Sequence, residues 1–116
     1  MSSVKLDINN GTDFATGDAI SGIAMWQLDK RPKEISINLF WYTSGKGTRD
    51  VQIADTIKLE SPKDTDAHSF EFKAPAGPYS FSGTLISLKW AIELVTKDTS
   101  HRTDITISPT CQEITL

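Results

Sequence analysis

Cysteine is almost absent from this sequence of 116 residues. Its one representative, Cys111, cannot close an internal disulfide, whereas small secreted domains commonly depend on several. A reducing, cytoplasmic setting is therefore expected. The opening segment, Met1-Ser2-Ser3-Val4-Lys5, lacks the basic stretch and apolar run of a signal peptide. No apolar run approaches the ~18 residues of a membrane-crossing helix, so no transmembrane segment is expected. Basic charge is short as well: 12 Lys and Arg stand against 15 Asp and Glu, for a net charge of -3. A nucleic-acid partner is not expected on that balance, because a basic face supplies most of such affinity by neutralising phosphates. Histidine occurs only as His68 and His101, and no segment carries helix caps at both ends.

What the chain does have is alternation. In Glu34 to Tyr42, the residues Ile35, Ile37, Leu39 and Trp41 share one face, with Ser36 and Asn38 on the other. In Ser82 to Leu94, Ile86, Leu88, Trp90, Ile92 and Leu94 share a face against Ser87, Lys89 and Glu93. Period two with one apolar side is the mark of an antiparallel sheet covered on one face. Shorter strands are predicted at Val4–Ile8, Val51–Ile53, Ile57–Leu59, Phe70–Phe72, Ile105–Ile107 and Ile114–Leu116. Between them lie turn-forming stretches such as Asn9-Asn10-Gly11-Thr12, Ser44-Gly45-Lys46-Gly47 and Pro75-Ala76-Gly77-Pro78. About seven or eight short strands make an all-β sandwich, and the chain reads as one domain, 1–116, large enough to fold without metal or disulfide staples. In Ile20 to Met25 the apolar residues Ile20, Ile23 and Met25 break parity. A β-bulge at Gly22 would restore a common face; a strand buried on both sides is the alternative.

The order of these pieces resembles the arrestin-like domains. Gly17-Asp18-Ala19-Ile20-Ser21-Gly22-Ile23-Ala24-Met25 resembles their early strand, in which Gly-Asp precedes an apolar-x-Gly-apolar run. The strand Ile35 to Tyr42 follows, then Gly45-Lys46-Gly47 and Val51-Gln52-Ile53. Phe70-Glu71-Phe72-Lys73-Ala74-Pro75 resembles the family's Phe-x-Phe-x-x-Pro strand, and Pro78 to Gly83 with Leu88 to Leu94 resembles the strand after it. The resemblance implies an antiparallel, immunoglobulin-like sandwich used as a protein-interaction scaffold. Arrestins carry two such domains in tandem, whereas this sequence has the length of one. Nothing matches the charged cluster that senses receptor phosphorylation, so receptor binding does not carry over.

Residues able to do chemistry do not assemble into a motif. Neither histidine has companion ligands at metal-binding spacing, and Cys111 has no base nearby. Asp64-Thr65-Asp66 lacks the glycine and distal glutamate of a calcium loop. Gly45-Lys46-Gly47-Thr48 has the wrong spacing for a phosphate loop and precedes a strand. No cofactor, metal or catalytic residue is expected. Trp41 and Trp90 sit on apolar faces and are assigned to the core. Phe40 and Tyr42 point the other way, beside Ser36 and Asn38, and mark either a contact patch or rings covered by a loop. The loops 9–18, 44–50 and 75–80 fall at one end and bring together Phe14, Lys46, Arg49 and Tyr79, a set suited to a partner or to plugging the core. The sequence thus points to a non-catalytic interaction module that binds another protein, a second copy of the chain among the candidates. A sandwich binding a small ligand or carbohydrate is the alternative, for which an exposed aromatic row would be the mark.

Overall fold

The computed structural model describes residues 3–9, 11–45, 50–83, 86–97 and 99–110, and the backbone of 114–115. These residues form strands and turns, with no helix among them. In chain order the strands are β1 (Ser3–Ile8), β2 (Asp13–Ala15), β3 (Ala19–Gln27), β4 (Glu34–Gly45) and β5 (Val51–Glu60). They continue as β6 (Thr65–Lys73), β7 (Phe81–Ser82), β8 (Ile86–Val95), β9 (Ser100–Ser108) and β10 (Ile114–Thr115). One sheet has the order β1-β3-β6 and is antiparallel throughout. The larger sheet runs β10-β7-β8-β4-β5, with β9 also on β8 and the short β2 parallel to β9. The molecule is 19 Å deep along its shortest axis, which fits two sheets stacked about 10 Å apart with their outward side chains.

Period two does the folding. Ile35, Ile37 and Leu39 of β4, with Leu88, Trp90, Ile92 and Leu94 of β8, turn their side chains to the small sheet. Leu6, Ile20, Ala24, Trp26, Phe70 and Phe72 meet them from β1, β3 and β6. Trp90 is fully buried, and its indole Nε1–H donates to the Pro78 carbonyl at 2.7 Å, so the ring's one polar group is satisfied. The Gly17-Asp18 pair makes the turn into β3. Gly17 takes φ +87°, and the Asp18 carboxylate accepts the Ala15 N–H at 2.8 Å.

Two expectations fail here. There is no bulge at Gly22, because β3 stays in register with both β1 and β6 through that residue. Alternation is strict. Ile20, Gly22, Ala24 and Trp26 face the core, and Ile23 is left on the outer face at 39% exposure. Glycine is required at 22 because a Cβ there would run into the Asp7 carbonyl and lie 2.9 Å from Phe70 Cζ. The register shift lies instead in β5, where Ala54 is the extra residue between Asp55, opposite Leu39, and Ile53, opposite Phe40. That shift joins the two predicted strands Val51–Ile53 and Ile57–Leu59 into one. It keeps Ile57 and Leu59 against the core and turns Val51 and Ile53 outward.

The two sides of the sandwich differ. On one side β1 lies close to β9 and β8. On the other, β5 and β6 end their sheets and pair on one side only among the described strands. Their connecting turn is tied down: Arg31 donates to the Ser61 and Pro62 carbonyls at 3.0 and 3.1 Å, and Trp26 Nε1–H donates to the Lys63 carbonyl at 2.9 Å.

Candidate interaction face

The outer face of the large sheet is where exposed apolar side chains gather. The register places Val51 opposite Tyr42 and Ile53 opposite Phe40 across β5 and β4, with Ala91 beside Phe40 and Lys89 beside Tyr42 on β8. Val51 is 63% exposed and Ile53 54%. Phe40 is 7% exposed, and its ring centroid lies 6.1 Å from that of the half-buried Tyr42. The strip is therefore a floor of Phe40 and Ala91 with two aliphatic side chains standing from the edge strand. Water meets those two side chains directly. At about 25 cal/mol per Å² of apolar area, covering both would favour association by a few kcal/mol before ordering costs.

A polar group borders the strip. The Tyr42 hydroxyl lies 3.3 Å from both carboxylate oxygens of Asp104 on β9. Arg102 places its guanidinium carbon 4.9 Å from the Tyr42 ring centroid and its Nε 3.5 Å from Asp104 Oδ1. Partial burial and then the neighbouring Asp104 charge raise the Tyr42 pKa above its ordinary 10.0. The phenol is therefore neutral at physiological pH and donates to Asp104. Each contact is solvent-screened and worth well under 1 kcal/mol by itself, yet together they fix the ring's orientation.

The other expected binding residues scatter. Phe14 is a core residue at 2% exposure, which corrects its assignment to a binding end; β2 pairs it with Ile107 and turns the ring inward. Tyr79 is exposed at 37%, on the segment before β7. Lys46 and Arg49, like Cys111, lie outside the described residues. The set Phe14, Lys46, Arg49 and Tyr79 is thus not brought together as one surface among these residues. Val51 and Ile53 were missed as surface residues. Their strand signal was present, but the bulge that turns them outward leaves no mark in composition.

Chemistry-bearing side chains are dispersed. His68 and His101 are both exposed, and among the described residues no three His, Cys, Asp or Glu side chains come together as a metal-binding group. A shallow groove of about 590 Å³ crosses the β1, β3 and β6 ends, lined by Val4, Lys5, Met25, Trp26, Asp66 and Ala67 among others. No histidine is among its described lining residues. The exposed large hydrophobics are Ile23, Val51, Ile53 and Tyr79, so the aromatic row that a carbohydrate platform needs is not formed among the described residues.

Comparison with known proteins supports the architecture. No family model matches the sequence, and no curated protein matches it. Among solved structures, the sporulation control protein Spo0M from Bacillus subtilis superposes with a TM-score of 0.62 at 13% identity. The match covers 92% of this chain and 49% of that one, so the present chain spans about half the length of Spo0M. The likeness and the strand arrangement together make this an all-β, antiparallel-rich sandwich, consistent with the arrestin-like architecture that the sequence resembles.

Proposed function

We propose that this chain is a non-catalytic, adaptor-type module that binds another protein through the outer face of its large sheet. The observation that carries the reading is the pair Val51 and Ile53, exposed side by side at 63% and 54% and continuous with Phe40 and Tyr42. Isolated aliphatic side chains are common on protein surfaces, but a contiguous apolar strip rimmed by polar groups is typical of a contact site. Tyr42 and Arg102 at its border are residue types favoured where partners bind. A lone cysteine and the description of Spo0M as a sporulation control protein both accord with a module of intracellular regulation. In this reading Asp104 and Arg102 orient the Tyr42 ring, and Val51 and Ile53 provide the area.

The test compares capture from the native cell extract by wild type, by Val51→Ser/Ile53→Ser, and by Ile23→Ser on the opposite sheet. Wild type and Ile23→Ser should retain the same proteins, and the double variant should lose them while melting as wild type does. Identical capture by all three would remove the strip from consideration. Turnover or glycan binding by the purified chain would replace the reading with one of another class.

A further inference from the structure

The backbone of β6 identifies a second surface, separate from the strip on β5. The Ala74 N–H donates to the Asp18 carbonyl and the Leu28 N–H donates to the Asp64 carbonyl, both in the register of the β3–β6 ladder. Even-numbered residues of β6 therefore bond to β3. Alternation then aims the N–H and C=O of Thr65, Ala67, Ser69, Glu71 and Lys73 at the free edge. Such an edge is a template for another strand.

Two of those groups are occupied by neighbouring side chains. The Ala67 N–H donates to Asp66 Oδ1 at 2.8 Å. His68 Nδ1 lies 2.9 Å from the Ser69 carbonyl, so the imidazole donates to it. Both side chains belong to even-numbered residues, whose own backbone is spent on β3, and both turn onto the free edge. The opposite edge strand repeats the device once: the Thr56 N–H, on the free side of β5, donates to Asp55 Oδ1 at 2.8 Å.

We propose that Asp66 and His68 guard the β6 edge against self-addition, and that the occupant they exclude is a second copy of the chain, paired antiparallel about Ser69. In that register Thr65 meets Lys73 of the second copy, Ala67 meets Glu71, and Ser69 meets Ser69. All nine residues of β6 are used. Each edge-facing residue exchanges both of its backbone hydrogen bonds. No charge stands opposite a like charge, since Asp66 meets Phe72 and His68 meets Phe70. The β5 edge lacks this self-complementarity. Its bulge at Ala54 switches which alternate residues face the free edge, so no single register pairs all ten of its residues.

Sedimentation velocity on the full chain tests the proposal. Asp66→Ala/His68→Ala should tighten self-association roughly a hundredfold relative to wild type, because four guards, two from each copy, no longer have to be displaced. Adding Ser69→Pro should return it to the wild-type value. That proline removes an edge-facing N–H and leaves the bonds to β3 intact. Asp66→Asn/His68→Gln keeps an acceptor and a donor in place and should behave as wild type. No tightening in the double-alanine variant, tightening that Ser69→Pro leaves unchanged, or equal tightening in the Asn/Gln variant would each overturn the proposal. A readout on wild type needs no variant: in the monomer the Ala67 amide should exchange several-fold more slowly than the Glu71 amide after correction for intrinsic rates. Equal rates would overturn the guard.

Discussion

Gly22→Ala is the smallest substitution that should measurably destabilise this sandwich. The residue sits in the middle of β3 with its missing side chain aimed into the core, between the Asp7 main chain and the Phe70 ring. A methyl group there would lie 2.9 Å from Phe70 Cζ and closer still to the Asp7 carbonyl. Phe70 can rotate slightly, but its ring is itself packed against Phe72, 5.8 Å between centroids. The Asp7 carbonyl belongs to β1 and moves only if the β1–β3 ladder moves with it. Overpacking of this kind costs about 1–3 kcal/mol. Replacing glycine by alanine in a strand returns roughly 0.5–1 kcal/mol through the unfolded chain. Because one of the two contacts is backbone, the net loss should fall near 1–2 kcal/mol. In a urea titration this lowers the midpoint by about 0.5–1 M at unchanged slope. Gly22→Ala/Phe70→Leu should recover only part of the loss beyond that of Phe70→Leu alone, since the carbonyl contact persists. A midpoint for Gly22→Ala equal to or above that of wild type would refute the close approach and revive the bulge.

Three further outcomes follow from the same packing. Trp90→Ala should cost ~3–5 kcal/mol in denaturant titration, since it empties a fully buried site and strands the Pro78 carbonyl; a loss under ~1 kcal/mol would contradict the burial. Ser61→Gly should raise stability by about 0.5–1 kcal/mol, because Ser61 holds φ at +49° in the turn after β5, where an L side chain is strained; a lower melting temperature would count against that strain. Tyr42 should ionise later than a free tyrosine in an ultraviolet pH titration, and the late component should vanish in Tyr42→Phe. A raised phenol pKa favours the neutral form in the fold, so its contribution is complete below pH 10.0 and is lost as pH climbs through the folded value.

Much of the fold was legible because each long strand carries its own parity. Ile35, Ile37 and Leu39 alternate, as do Leu88, Trp90, Ile92 and Leu94, and every one of them is buried. Turn residues marked the ends: Gly17 and Gly11 both take positive φ. Parity failed where a position depended on a neighbour. At Gly22 the sequence shows an interrupted apolar pattern, and the interruption has two physical causes, an extra residue or a missing side chain. Only the distance to Asp7 on another strand distinguishes them. In β5 the reverse happened. A real bulge at Ala54 read as a gap between two short strands, because the residues on either side of it keep to different faces.

The surface was less legible for a related reason: an edge is a relation between strands, not a property of one. Phe40 and Tyr42 could be placed on the outer face from Ser36 and Asn38 alone, and they lie there. Whether Phe40 is wet depends on Ile53 and Ala91 beside it, and its 7% exposure shows that a ring on the outer face need not be open to water. Val51 and Ile53 become the exposed part because β5 has no strand beyond it among the described residues. Asp55, Asp66 and His68 show the limit most clearly. In the sequence they are dispersed polar residues in or near turns, with no motif around them. Their side chains meet backbone groups one residue ahead, and those groups are free only because the ladder on the other side has claimed the alternate positions. Shifting the β3–β6 register by one residue would hand the Ala67 N–H to β3 and leave the Asp66 carboxylate nothing to guard. The same register turns Phe70 and Phe72 to the core and leaves Ser69 at the edge, so the hydrophobic pattern that fixes the fold also decides which side chains can guard the strand.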